Sequence, residues 1–230
     1  TIVEQPREVG KAVKMIWIVF SLFVGFISGM AVADKWQVIL KYWHQQPFGT
    51  TDPVFGYDLA YYVFTLPFLE LVTGFAFFLL IISLILTGGL YIWHILFHHM
   101  EQKKKLWGVL SLPHIPDIAK RHLTVLLMGI FLLIAFYLYT VSIPSLVLKQ
   151  HDLLTGANYT DLHAHLPILY GLMGVALLGV VLGIYMLIRG KYHLWVPIIA
   201  LYFGVLIIGG GVYPALLQSL VVEPNELSKE

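Results

Sequence analysis

Leu71–Phe97 reads LVTGFAFFLLIISLILTGGLYIWHILF, twenty-seven residues without an Asp, Glu, Lys or Arg. An α-helix needs roughly 20 apolar residues to cross a hydrocarbon core about 30 Å thick. Working outward, the same test picks out Met15–Ala33, Leu123–Leu148, Leu166–Ile188 and Leu194–Val222, all uncharged. Their apolar runs are continuous rather than alternating, which argues against a strand barrel. Helices satisfy their own backbone hydrogen bonds in lipid. The expected fold is therefore all-α: a polytopic transmembrane helix bundle of five spans. Met15–Ala33 is too long for a signal-peptide core of roughly 7–15 residues and lacks a small-residue cleavage pattern.

Composition agrees. Of the 230 residues, 59% are hydrophobic and 12% charged, where a soluble domain carries about 25% charged. There is no cysteine, which removes a disulfide scaffold, and a net charge of +1 gives no bulk attraction to nucleic acid.

The charges sort by loop. Arg7, Lys11 and Lys14 precede the first span. Lys103, Lys104, Lys105, Lys120 and Arg121 lie between the second and third, and Arg189 and Lys191 between the fourth and fifth. These three segments hold ten basic and four acidic residues, whereas the opposite side holds four basic and nine acidic. Excess Lys and Arg mark the cytoplasmic side. The expectation is a multi-pass protein of the cytoplasmic membrane, N-terminus inside and C-terminus outside. Residues 1–14 form a cytoplasmic segment, 15–222 the transmembrane domain, and 223–230 the start of an extracytoplasmic segment that continues further. With Thr1 rather than Met at the first position, the true start is expected to lie upstream.

The loop after the first span carries Trp36, Ile39, Leu40 and Trp43 at i, i+3, i+4 and i+7, the spacing of one helical face. With Tyr42 this predicts a short amphipathic helix in the membrane interface, although a helix covered by protein has the same pattern. Asp52-Pro53 has the form of a helix cap followed by Pro at the first helical position. Asp58 is placed to begin a second short helix through Tyr61, Tyr62 and Phe64, ending near Pro67. The alternative treats Asp52 and Asp58 as paired carboxylates that hold a cation or move protons; capping is the commoner use.

In the segment Gly156-Ala157-Asn158-Tyr159-Thr160-Asp161-Leu162-His163-Ala164-His165-Leu166-Pro167, an extended strip would offer Asp161, His163 and His165 to a metal. On a helix, residues two apart face different ways and the cluster dissolves. His163 and His165 are thus weak metal candidates, and Asp52, Asp58, Asp161 and His163 form a candidate outer polar cluster. Asn158-Tyr159-Thr160 has the form of a glycosylation sequon, a triplet that often arises by chance.

Within the spans only His94 is ionisable, and intramembrane ionisable groups are where ion and proton paths are sought. His94 and His98 share a helical face, compatible with a haem or metal pair, but an interfacial cluster with His99 is the plainer reading. Gly25/Gly29 and Gly179/Gly183 each set two small residues on one helix face, where helices approach closely. Gly209, Gly210 and Gly211 with Pro214 interrupt the fifth span, as a broken transporter helix or as a kink that seats a neighbour. No P-loop, dinucleotide fingerprint, HExxH or serine-hydrolase elbow occurs.

Three ordered motifs carry a resemblance: Pro47–Asp58 continuing to Tyr62, Phe64, Leu66, Pro67 and Phe68; Gly156–Pro167; and Tyr213–Gln218 followed by Val221–Leu227. Together they resemble the large bacterial membrane proteins of uncharacterised protein family 0182. The resemblance implies a seven-helix membrane protein followed by a large extracytoplasmic region, of which this chain would be the last five helices. It transfers no catalytic role. One departure is His165, where the family motif carries Arg, which weakens a His163/His165 metal pair further.

The reading that follows is a membrane domain that anchors a larger extracytoplasmic domain. The expected partners are the lipid bilayer and either that domain or other membrane subunits. No nucleic acid and no cofactor is expected, and no enzymatic activity is indicated. The alternatives are a transporter or channel with a broken fifth helix, and a metal-dependent membrane enzyme centred on Asp161 and His163.

Overall fold

The computed structural model describes residues 7–103, 115–151, 154–217 and 219–220. Lys104, Lys105, Gln218 and the segment 223–230 lie outside the described residues, as do the side chains of His94, His98 and His99. Two compact units divide the chain at Pro47.

The first unit holds α1 (Arg7–Ala33) and α2 (Trp36–Trp43), with a bend of 58° between Ile18–Ala33 and Trp36–Trp43. α2 forms where the i, i+3, i+4, i+7 pattern predicts. Trp36, Leu40 and Trp43 are exposed, and Lys41 in the last turn complements the negative end of the helix dipole.

The second unit contains α3 (Leu66–Lys103), α4 (Asp117–Tyr137), α5 (Leu166–Arg189), α6 (Trp195–Ile207) and the short α7 (Tyr213–Leu217). α4 packs against both α3 and α5, and α6 packs against α5. Among the described residues, four continuous helical stretches are long and apolar enough to cross a membrane: Tyr61–Trp93, Asp117–Leu148, Asp161–Arg189 and Tyr192–Leu217; the bent pair in the first unit is a fifth candidate. The fold is a polytopic helical membrane bundle. Its only described strands are two short ones, β1 (Gln150–His151) and β2 (Leu154–Thr155), paired antiparallel.

Packing explains which glycines matter. A Cβ on Gly179 would lie 2.6 Å from Phe131 Cδ1, and one on Gly183 would lie 2.3 Å from Met128 Cγ. Lipid tails offer no hydrophobic drive between helices, so close backbone approach and dispersion hold such a pair together. The tight α4/α5 seam continues into a core of Phe131, Ala135, Ala176, Met186, Trp195 and Ile198. Trp195 Nε1 donates to Thr124 Oγ1 across it at 3.2 Å, which satisfies both buried polar groups. By contrast, among the described residues of their own unit, Gly25 and Gly29 have nothing within 4 Å of their Cβ positions. α5 ends at Gly190, whose φ of +70° gives the left-handed cap that lets its N–H reach Met186 O at 2.8 Å.

Four spans depart from regular α geometry at one recurring place. Five-residue π-helical turns occupy Tyr61–Thr65, Leu138–Ser142, Asp161–His165 and Ile208–Val212. Each is followed, one residue later, by a proline: Pro67, Pro144, Pro167 and Pro214. A proline inside a helix lacks an N–H, and its ring collides with the carbonyl four residues back. Here the residue before each proline bonds five residues back instead, Leu66 to Tyr61, Ile143 to Leu138, Leu166 to Asp161 and Tyr213 to Ile208. The widened turn gives the ring room, and the helix continues. Pro67 therefore does not end a helix, contrary to expectation, and Gly209–Gly211 lie inside a turn through which helical bonding persists. These turns gather at one end of the bundle. The Asp161–His165 turn packs on the Ile208–Val212 turn, and the Leu138–Ser142 turn packs on α3 and α5.

Candidate polar site at the π-turn end

The loop 48–58 is built around two carboxylates. Asp52 is only 3% exposed. Its Oδ1 accepts from the N–H groups of Val54 (2.8 Å) and Phe55 (2.7 Å), and its Oδ2 from Tyr57 N–H and the Tyr62 hydroxyl (both 2.8 Å). Burial pushes this carboxyl up, but the Phe55, Tyr62, Val54 and Tyr57 donors outweigh it and hold the pKa below its ordinary value. Pro53–Phe55 form a turn rather than the helix that Asp52-Pro53 suggested. The carboxylate performs capping chemistry on a loop.

Asp58 closes the other end of that loop. It accepts from Ala60 N–H at 2.8 Å, and from Phe48 and Gly49 N–H at 3.0 and 2.9 Å. The Ala60 and Phe48 donors, with Gly49, lower its pKa. Asp58 thus caps the helix that runs on into α3, and also ties back the start of the loop, where Gly49 takes a positive φ of 72°. A Thr51–Asp58 bridge zips the two ends together. The two aspartates each gather donors from their own loop, and neither carboxylate is shared with the other.

Asp161, 2% exposed, is the polar centre of the second segment. Lys149 Nζ donates to its Oδ1 at 2.5 Å, and Asn158 N–H donates to its Oδ2 at 3.2 Å. In return Asn158 Oδ1 accepts from Asp161 N–H at 2.8 Å, a reciprocal cap three residues apart. His165 lies one turn on, its Nδ1 3.6 Å from Asp161 Oδ1 and buried without a hydrogen bond. His163 faces elsewhere: its ring stacks on Tyr159 with centroids 3.9 Å apart, and its Nδ1 lies 3.0 Å from Tyr159 O. The helical conformation of Asp161–His165 places Asp161 with His165 and separates both from His163. Among the described residues, no group of three His, Asp or Glu side chains is gathered to hold a metal ion.

The fifth-span glycines are not equivalent. A Cβ on Gly209 would lie 2.7 Å from Ile168 Cγ2, so this glycine seats α5, while Gly210 and Gly211 have nothing within 4 Å. Pro214 is buried.

Sequence reasoning missed Lys149 as the partner of Asp161, and Tyr61 and Tyr62 as polar anchors. Tyr61 donates its hydroxyl to Thr140 O at 2.5 Å. That carbonyl lies four residues before Pro144, which has no N–H to offer it. The available signal was the spacing of proline to carbonyl, not a polar motif.

These features fall on the segments that carry the family-like motifs, and comparison with known proteins agrees. A family model described as Uncharacterised protein family (UPF0182) matches residues 2–230. A UPF0182 protein of Frankia alni is 31% identical over 225 residues, covering 94% of this chain and 20% of that protein. One from Desulfitobacterium hafniense is 35% identical over 221 residues, with 94% and 22% covered. One from Geobacter sp. (strain M21) is 34% identical over 237 residues, with 97% and 24% covered. The chain thus spans only about a fifth to a quarter of these curated relatives. No solved structure matches it. With the match running through nearly every residue, the chain belongs to Uncharacterised protein family (UPF0182).

Proposed function

We propose that this chain is the membrane anchor of a larger bacterial protein, seated in the cytoplasmic membrane with the basic loops inside and the π-turn end outside. The observation that carries this reading is the use made of the carboxylates at that end. Asp52, Asp58 and Asp161 hold loop backbone and Lys149 in place, as parts of a scaffold do. The uncharged spans and the much greater length of the relatives support the same reading. In the relatives, the length beyond the matched part would be the load that such a bundle carries outside the membrane.

A cysteine-free chain makes the test direct. Single substitutions Val54→Cys and Lys104→Cys in intact cells are treated with a membrane-impermeant maleimide. Labelling at 54 with protection at 104 is expected; the reverse pattern overturns the orientation.

A second reading, a transporter or channel, draws on the open surroundings of Gly210 and Gly211 within the Ile208–Val212 π-turn that follows α6. Solute flux in proteoliposomes that disappears in Gly210→Leu would establish it in place of the anchor.

A further inference from the structure

Exposed apolar side chains run in a stripe along α4 through Val125, Leu132 and Phe136, and along α5 through Leu177, Val181 and Ile184. On a membrane bundle these stripes are the surface that meets hydrocarbon. At the π-turn end both finish on a tyrosine. Tyr139 follows Phe136 and is 56% exposed, and Tyr170 lies two turns before Leu177 and is 47% exposed.

Two more tyrosines back this pair. Tyr57 stacks on Tyr61 with centroids 4.7 Å apart and planes 16° from parallel. Burial, with Tyr139 and Tyr170 nearby, holds the Tyr57 phenol above its ordinary pKa. Tyr139 stands in the Leu138–Ser142 π-turn, next to the Thr140 carbonyl that Tyr61 binds, and Tyr170 stands on α5. Tyr61 is pinned through its hydroxyl to Thr140 O, which fixes the platform. Such rings have an apolar body and a polar tip, and so favour the boundary between acyl chains and headgroups.

We propose that Tyr57, Tyr139 and Tyr170, braced by Tyr61, seat the glycerol–phosphate layer of bilayer lipids and so set the depth of the bundle. The occupant is lipid because the patch continues the hydrocarbon-facing stripes without a break. The phenols are where the first polar atoms on those stripes occur, and phenol O–H groups donate to ester and phosphate oxygens. This holds whether the bundle anchors or transports.

The test uses the full chain in phosphatidylcholine/phosphatidylglycerol vesicles with a nitroxide on Tyr170→Cys, Leu177→Cys or Val54→Cys. Oxygen and a water-soluble nickel chelate report depth. The label at 170 is expected at the headgroup boundary, with both reagents reaching it, and the label at 177 inside the hydrocarbon, with oxygen dominant. In a Leu177→Cys background, Tyr139→Leu with Tyr170→Leu lengthens the apolar stripe. It is expected to move the 177 label toward the bilayer centre, while Tyr139→Trp with Tyr170→Trp leaves it in place. A label at 170 as nickel-accessible as the one at 54, or shielded from both reagents by protein, overturns the proposal. So does a 177 label that the leucine pair does not move.

Discussion

Removing the Tyr61 hydroxyl tests the link between proline, π-turn and carbonyl. Pro144 leaves Thr140 O without its usual amide donor, and the tyrosine supplies one from α3's lead-in at 2.5 Å. Tyr61→Phe keeps the ring and its stack on Tyr57 but strands the carbonyl. An unsatisfied buried polar group costs about 1–3 kcal/mol, and interhelical hydrogen bonds in membranes average about 0.6 and reach about 1.7 kcal/mol. The site is only partly buried, so we expect a loss of about 1–1.5 kcal/mol within those ranges. Pro144→Ala restores an N–H at the position an α-helix uses to serve residue 140. In that background Tyr61→Phe should cost much less, a coupling of about 1 kcal/mol in a double-mutant cycle. Equilibrium unfolding in bicelles measures all four species. If Tyr61→Phe costs the same with and without Pro144, the hydroxyl does not stand in for the missing amide, and the reasoning fails.

Other perturbations follow from the same geometry. Gly179→Ala drives a methyl to within 2.6 Å of the Phe131 ring and should cost about 1–3 kcal/mol in unfolding experiments. Gly25→Ala and Gly29→Ala meet nothing among the described residues of their own unit and should be neutral or slightly stabilising. Lys149→Met leaves Asp161 buried with its strongest donor gone and should cost about 3 kcal/mol, and adding Asp161→Asn should recover part of it. Asp52 and Asp58 have lowered pKa values when folded, so their contribution is complete above the unfolded carboxylate value of about 3.9 and is lost as pH falls below it. Thermal unfolding followed from pH 7 to 3 should steepen in its loss below about pH 4, and Asp52→Asn should flatten that slope.

The spans were legible because burial in lipid imposes a pattern that no charged residue interrupts. The carboxylates were legible in kind but not in object. Asp52 takes backbone N–H groups as expected, yet of a turn, because Gly56 follows with a φ of 72° and the chain doubles back to Tyr57. Pro67 misled by the ordinary rule that proline stops a helix; a widened turn offers a second solution that local composition does not announce. Lys149 and Asp161 are twelve residues apart across a hairpin, and nothing in either neighbourhood predicts their pairing. His163 and His165 read as a pair only for an extended chain, and the helix sends them to different neighbours.

Each π-turn also has a bearing on how these helices should be surveyed. A turn that holds an additional residue offsets everything beyond it by roughly 100° around the axis relative to an unbroken α-helix. A single helical wheel drawn from Leu123 to Leu148, or from Leu194 to Leu217, therefore mixes two phases. Scanning data from the short segments past Ser142 and Val212 belong on wheels of their own. Plotted together, lipid-facing and protein-facing positions would blur into an apparently featureless cylinder.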